Sequence, residues 1–336
     1  MKAIAFTEHG LPINDPRSLQ DVNIAAPMPG PRDLLVEVEA VAVNPVDTKV
    51  RSGSFAKEPK ILGWDAAGTV REVGADVSLF KPGDKVYYAG SLTRAGSYSE
   101  LQVVDERIVG HRPQSLSAAH AAALPLTSIT AWELLFDRLG VSEGGSDGDV
   151  LLVVGAAGGV GSMLVQLAHE LTGMTVIGTA SRPETADWVK RMGADHVIDH
   201  RQPMLAQLQV LGIGEVSYVA SLTHTEEHLA QLIEVLRPQG RLGVIDDPSS
   251  LDVMPLKLKS LSLHWELMFT RSLFETPDMI NQHHLLNRIA QLIDQGILQT
   301  TLGEHFGVIN AANMRRAHAL VESNKARGKI VLEGFA

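Results

Sequence analysis

Five apolar residues, Val150-Leu151-Leu152-Val153-Val154, run directly into Gly155-Ala156-Ala157-Gly158-Gly159-Val160-Gly161, and this junction narrows the folds open to the chain more than any other segment. The apolar run reads as a buried strand, and the stretch through Leu164, Leu167 and Leu171 as a helix. Glycines at 155, 158 and 161 let the backbone turn tightly between the two and approach a pyrophosphate at the helix N-terminus, where amide groups and the helix dipole favour negative charge. A glycine-rich turn alone is a weak signal, because many strand-to-helix junctions contain one; the strand before it and the helix after it carry the reading. Gly155, Ala156, Gly158, Gly159, Val160 and Gly161 are therefore expected to bind a dinucleotide.

The flanking sequence supplies the rest of such a domain. Strand-like segments at 175–180, 196–198, 216–220 and 241–245 alternate with helical segments through Trp188 and over 228–236, the order that builds a doubly wound parallel sheet. Pro238-Gln239-Gly240 reads as the stop of the 228–236 helix. Upstream, short β runs such as 34–41 and 65–73 are broken by Gly and Pro, and Pro82-Gly83-Asp84 sets a turn before Lys85-Val86-Tyr87-Tyr88, which suggests an antiparallel barrel. Helical texture sets in after Ala118, and the tail, with helices near 282–295 and 311–322 and the strand 329–332, is too short to make a domain alone. At 336 residues the chain is long enough for two cores. The expected organisation is an α/β chain with a β-barrel domain from 1–120 and 281–336 and a dinucleotide-binding Rossmann domain over 121–280.

Sites that prefer NAD place a carboxylate at the end of the second strand, on the ribose hydroxyls. Here that strand ends Gly178-Thr179-Ala180-Ser181-Arg182, and the first carboxylate is Glu184. The Ser181 hydroxyl and the Arg182 guanidinium can both donate to a 2′-phosphate, so NADPH is the expected cofactor and these two residues join the binding set. The other use of Arg182 is as a solvated residue at a helix start.

A formal charge of −10, from 39 acidic against 29 basic residues, opposes binding to a nucleic-acid backbone. No run approaches the ~18 apolar residues that span a bilayer, so no membrane role is expected. Met1 to Phe6 reads straight into a strand without the features of a secretory signal, and a cytoplasmic protein is expected. The chain has no cysteine, which removes disulfides, thiolate nucleophiles and every metal site that needs sulfur.

Six motifs together resemble the medium-chain dehydrogenase/reductase superfamily, specifically its quinone oxidoreductase-like and zinc-type alcohol dehydrogenase-like members. They are Val43-Asn44-Pro45-Val46-Asp47, Leu62-Gly63-Trp64-Asp65-Ala66-Ala67-Gly68, Lys81-Pro82-Gly83-Asp84-Lys85-Val86, Leu124-Pro125-Leu126-Thr127-Ser128-Ile129-Thr130-Ala131-Trp132, the phosphate loop, and Gly328-Lys329-Ile330-Val331-Leu332. The resemblance covers the whole chain and implies a GroES-like catalytic barrel carrying the Rossmann domain. It also implies a homodimer joined through the nucleotide-domain sheets, with 261–268 as the candidate edge.

Zinc-dependent members hold their catalytic metal with Cys, His and a second Cys or acidic group; the corresponding positions here read Asn44, Trp64 and about Thr127. An amide, an indole and a hydroxyl do not make a tight tetrahedral zinc site, and His9, His111, His224, His264, His283 and His284 lack ligand spacing with a carboxylate. No metal is expected. The chemistry then implied is hydride delivery from NADPH to an acceptor that is already electrophilic, a quinone or an α,β-unsaturated carbonyl. By resemblance, Asn44 would hydrogen-bond the substrate or the nicotinamide ribose, Thr127 would contact the nicotinamide region, Trp64 would wall the acceptor pocket and Lys329 would approach the cofactor or substrate. Read as residues, each keeps another use: Asn44 as a turn residue before Pro45, Trp64 as a plug in the vacated metal cavity, Lys329 as an exposed strand-end lysine. Two rival functions stay open, a zinc-type alcohol dehydrogenase and a catalytically idle NADPH-binding protein.

Overall fold

The computed structural model of the protein describes residues 1–53 and 59–336. Two compact units result: Met1–Ile129 with Phe269–Ala336, and Thr130–Met268. In the first, β1 (Lys2–Phe6), β2 (Gln20–Asn23), β3 (Asp33–Val43), β4 (Lys60–Ile61), β5 (Asp65–Val73), β6 (Lys85–Tyr88), β7 (Leu101–Asp105) and β8 (Val109–His111) follow one another as the Gly and Pro breaks require. The eleven-residue β3 is the spine. It pairs antiparallel with β5, Ala42 opposite Asp65, and with β7 along its first half. Its Leu34, Val36, Val41 and Ala42 are fully buried.

The second unit is one parallel sheet of β9 (Val150–Val154), β10 (Thr175–Thr179), β11 (His196–Ile198), β12 (Val216–Ser221), β13 (Leu236–Val244) and β14 (Ser262–Trp265), in the order β11-β10-β9-β12-β13-β14. Because both faces of such a sheet are covered, its inner strands β9, β10 and β12 are buried along nearly their whole length rather than alternating. Leu152, Ile177, Val219 and Leu242 share a core with Leu229, Leu232 and Val235 of the helix Thr225–Val235. β13 begins earlier than the sequence suggests. Pro238-Gln239-Gly240 is an excursion inside β13 rather than a helix stop, since Val216 pairs with Leu236 and Tyr218 with Arg241, and Gln239 takes a φ of 64°. Proline cannot donate to the ladder, so the strand bulges there and resumes.

The chain then returns to the first unit with β15 (Leu302–His305) and β16 (Lys329–Glu333). β16 lies antiparallel against β3 with Ile330 opposite Val43, which sets Lys329 beside Asn44. The helix Ala118–Ala122 packs on β3, β5 and β16, and the Phe269 ring meets Trp64, so the units divide at 129/130 and 268/269 instead of 120/121 and 280/281. The helical texture at 118 marks a lid on the barrel sheet, not a change of unit. No helix among the described residues is long and apolar enough to cross a membrane.

Candidate functional site

The phosphate loop forms as its residues demand. Gly155 has φ 80°, a left-handed conformation that a side chain disfavours, and Gly158 caps the helix Gly159–Leu171 with no side chain on the first-turn amides. Those amides are left for an anionic ligand. Gly161 faces the strand end so closely that a Cβ would stand 2.5 Å from the Gly155 carbonyl oxygen and 2.6 Å from Ala156 Cα. Ser162 donates its hydroxyl to Gly158 O at 2.7 Å and accepts from Trp188 Nε1 at 2.8 Å, which ties the loop to the helix Pro183–Arg191. Gly155, Ala156, Gly158, Gly159, Val160 and Gly161 thus form one tight turn whose first-helix amides could hold an anion such as a dinucleotide pyrophosphate.

Ser181 and Arg182 follow β10, and Arg182 is the N-cap of the helix Pro183–Arg191. Glu184, the first acidic residue past the strand, has its carboxylate 3.4 Å from Arg182 Nε and is more than half exposed. No carboxylate therefore stands in the 179–183 turn itself.

The other four candidates lie in the first unit, where Asn44 and Lys329 share one buried polar cluster. Asp65, at the start of β5, is its centre: Oδ2 accepts from Asn44 Nδ2 at 2.8 Å and pairs with the Lys329 ammonium at 2.9 Å, and Oδ1 accepts from Leu126 N at 2.7 Å. Lys329 Nζ also donates to Val43 O at 3.1 Å and to Asn44 Oδ1. Three ammonium hydrogens thus meet three acceptors, and Asn44 has both ends of its amide engaged. Lys329 is 3% exposed and Asn44 1%, so the reading of Lys329 as an exposed strand-end lysine does not hold. Contact of the Lys329 ammonium with a bound molecule requires exchange of one of these partners. Thr127 is buried one residue beyond Leu126, with its hydroxyl donating to Leu124 O at 3.1 Å in its own helix. Trp64, also buried, donates Nε1 to Ser91 O at 3.0 Å and meets Phe269 edge-on with ring centroids 6.1 Å apart.

These residues do not suit zinc. The Asn44 amide is committed to Asp65 and Lys329, the Trp64 indole donates rather than accepts, and Thr127 offers only a hydroxyl. A cation is nevertheless present in the cluster as the Lys329 ammonium, which balances the Asp65 carboxylate. Of the histidines, His283 is fixed by Val109 O at 2.6 Å and Asn287 at 2.9 Å, a structural tie between helix and barrel. No group of three or more His, Asp or Glu among the described residues is arranged to hold a metal.

Next to Asn44, Asp47 forms a second buried chain. Its Oδ2 accepts from Asn44 N at 2.6 Å and from Tyr98 OH at 3.1 Å, and Tyr98 OH lies 3.2 Å from His318 Nε2. Burial pushes the Asp47 carboxyl up to about 7, against the Asn44 amide and the Lys329 ammonium and with help from Asp65. Burial, with the Arg51 guanidinium nearby, drives His318 down to about 3. The Asp47 contribution to stability is complete below its ordinary 3.8 and is lost as pH rises through 7; that of His318 is complete above its ordinary 6.5 and is lost as pH falls through 3. Between about pH 4 and 6.5 the two slopes oppose each other, because folding moves a proton from His318 to Asp47 without changing the total. Asp47→Asn leaves the histidine uncompensated, so relative to the native protein this variant gains ~1 kcal/mol per pH unit across that window. Urea unfolding at pH 4.5, 5.5 and 6.5 reads the difference, and parallel profiles contradict it.

Asp65 was visible only as a letter of the Gly63-Trp64-Asp65 motif, Tyr98 and His318 carried no signal because they stand 220 positions apart, and Arg201, whose Nη2 donates to Ser181 O at 2.7 Å, followed an unremarkable strand.

Comparison with known proteins agrees with this architecture. Residues 30–114 match the family model described as an alcohol dehydrogenase GroES-like domain, and 192–332 that of a zinc-binding dehydrogenase. A zinc-type alcohol dehydrogenase-like protein of Staphylococcus aureus is 41% identical over 91% of this chain and 92% of its own length. A crystal structure from Rhizobium etli, described as a zinc-dependent alcohol dehydrogenase, is 53% identical with a TM-score of 0.96, covering 100% of this chain and 98% of that one. The Escherichia coli quinone oxidoreductase complexed with NADPH is 26% identical with a TM-score of 0.83 over 99% of both chains.

Proposed function

The chain belongs to the medium-chain dehydrogenase/reductase superfamily, and from that premise we propose that it is a zinc-independent, NADPH-dependent reductase of quinones or α,β-unsaturated carbonyls. The observation that carries the reading is the Lys329–Asp65–Asn44 cluster: of the three side chains aligned with the family's metal ligands, Asn44 is committed to Asp65 and an internal ammonium, Trp64 donates its indole N–H to Ser91 O, and Thr127 offers only a hydroxyl. An alcohol oxidation that relies on a Lewis acid then finds no metal-binding set among the described residues. An acceptor with a conjugated carbonyl needs none, because conjugation already makes the receiving carbon electrophilic. Reduced nicotinamide supplies the hydride when bound. The protein's part is to seat the pyrophosphate on the 155–161 turn, hold the ring and acceptor in register, and keep water from the reacting atoms.

The preference for NADPH is supported by the 179–183 turn, which offers Ser181 and Arg182 and no carboxylate, and by the quinone oxidoreductase neighbour, described with NADPH. Arg182→Ala is expected to raise KM for NADPH several-fold more than for NADH; equal effects refute this part of the reading. Self-association through β14 belongs to the same proposal, since β14 is a sheet edge with Trp265 and, just beyond it, Leu267 each 52% exposed.

The test is NADPH consumption with 1,2- and 1,4-quinones and short enones, alongside metal analysis of protein purified without an affinity tag. Turnover that resists chelators supports the proposal. One stoichiometric zinc overturns it in favour of a zinc-type alcohol dehydrogenase, and cofactor binding without turnover across the panel marks the idle NADPH-binding alternative.

A further inference from the structure

Arg201 leaves β11 as Ser181 leaves β10, and the parallel pairing of the strands, Thr179 opposite Ile198, brings the two turns together. The Arg201 guanidinium is held on one edge by Asp199, Nε to Oδ1 at 3.0 Å and Nη2 to Oδ2 at 2.7 Å, and Nη2 also donates to Ser181 O at 2.7 Å. Its own hydrogen bonds to Asp199 hold that carboxyl down to about 2, so the pair stays ionised across the working pH range. The Nη1 end takes part in none of these bonds, and the side chain is 61% exposed. Arg182, by comparison, is paired by its Nε to Glu184 at the looser distance of 3.4 Å.

We propose that Arg201 is a specificity-determining residue of the cofactor site, donating Nη1 hydrogens to the 2′-phosphate of NADPH while fixing the Ser181 backbone beside it. The inference rests on the NADPH reading above. A planar guanidinium already locked by Asp199 and Ser181 loses little side-chain freedom on meeting a phosphate, and its fork suits phosphate oxygens better than a point charge does. The carboxylate of Asp199 occupies the opposite, Nε edge of the guanidinium and leaves the Nη1 end to an anion. The location also agrees with the rule that parallel α/β sheets bind their ligands beyond the carboxyl ends of the strands.

Calorimetric titration of the full chain with adenosine 2′,5′-bisphosphate and with 5′-AMP isolates the 2′-phosphate. The native protein is expected to prefer the bisphosphate. Arg201→Ala should lose on the order of tenfold of that preference, as expected for charge-assisted hydrogen bonds, with 5′-AMP affinity within about twofold of the native value. Arg201→Lys, which keeps the charge but not the fork, should recover only part of it. KM for NADPH, but not for NADH, should follow the same order. If Arg201→Ala keeps the full preference, or weakens both probes equally, Arg201 only braces the turn and the inference fails while the NADPH reading stands. If the native protein binds the two probes equally, the NADPH reading falls and this inference with it.

Discussion

Gly161→Ala is expected to weaken dinucleotide binding on the order of a hundredfold. The added Cβ would stand 2.5 Å from Gly155 O, 2.6 Å from Ala156 Cα and 2.7 Å from Ala156 C. All three are backbone atoms at the end of β9, so no side chain can swing aside. Relief comes only from lifting the helix Gly159–Leu171 off the strand, which moves the first-turn amides away from the pyrophosphate. Stability should fall as well, by ~1–3 kcal/mol for overpacking. Gly158→Ala is the control: its φ is −73° and its Cβ would meet nothing nearer than Gly155 O at 3.4 Å, so binding should change far less. Fluorescence titration of NADPH, with circular dichroism to confirm folding, separates the two. Binding by Gly161→Ala within threefold of native would show that the loop does not cradle the cofactor.

Lys329→Met is expected to destabilise the first unit by ~3–5 kcal/mol, because it strands the fully buried Asp65 carboxylate without its counter-ion. Asp65→Asn should be costly for the complementary reason, an ammonium left among Val43 O and Asn44 Oδ1. The double variant Asp65→Asn/Lys329→Met removes both charges and should be more stable than either single variant, since replacing a buried pair costs less than breaking it. Urea unfolding at pH 7.5 provides the cycle. Strictly additive losses would mean that the two charges do not stabilise each other, and would remove the cluster as support for the zinc-independent reading.

How much of this was legible depended on range. The barrel and the parallel sheet could be read because β propensity, turn residues and the strand–helix alternation are local patterns, and each element is short enough for its own residues to announce it. Two of the places where boundaries moved show contacts deciding instead. The helix Ala118–Ala122 looks like the start of a new domain by texture and belongs to the barrel because β3, β5 and β16 are what it covers. Pro238 looks like a helix stop and sits in a bulged strand because the pairing of β13 with β12 resumes beyond it.

The phosphate loop illustrates what sequence by itself determined. Strand, glycines and helix are consecutive, so the geometry of the turn is written within a single span from Val150 to Leu171. The motif residues Asn44, Trp64, Thr127 and Lys329 were equally visible, but their state was not. Asn44 finds Asp65 across 21 positions and Lys329 across 285, and only the antiparallel registers of β3 with β5 and β16 bring those three groups within hydrogen-bonding distance. Tertiary structure alone decided that Lys329 is an internal counter-ion and that Arg201 joins Ser181, because a charge is defined by the partners that replace its water, and those partners are chosen by strand register rather than by neighbouring letters.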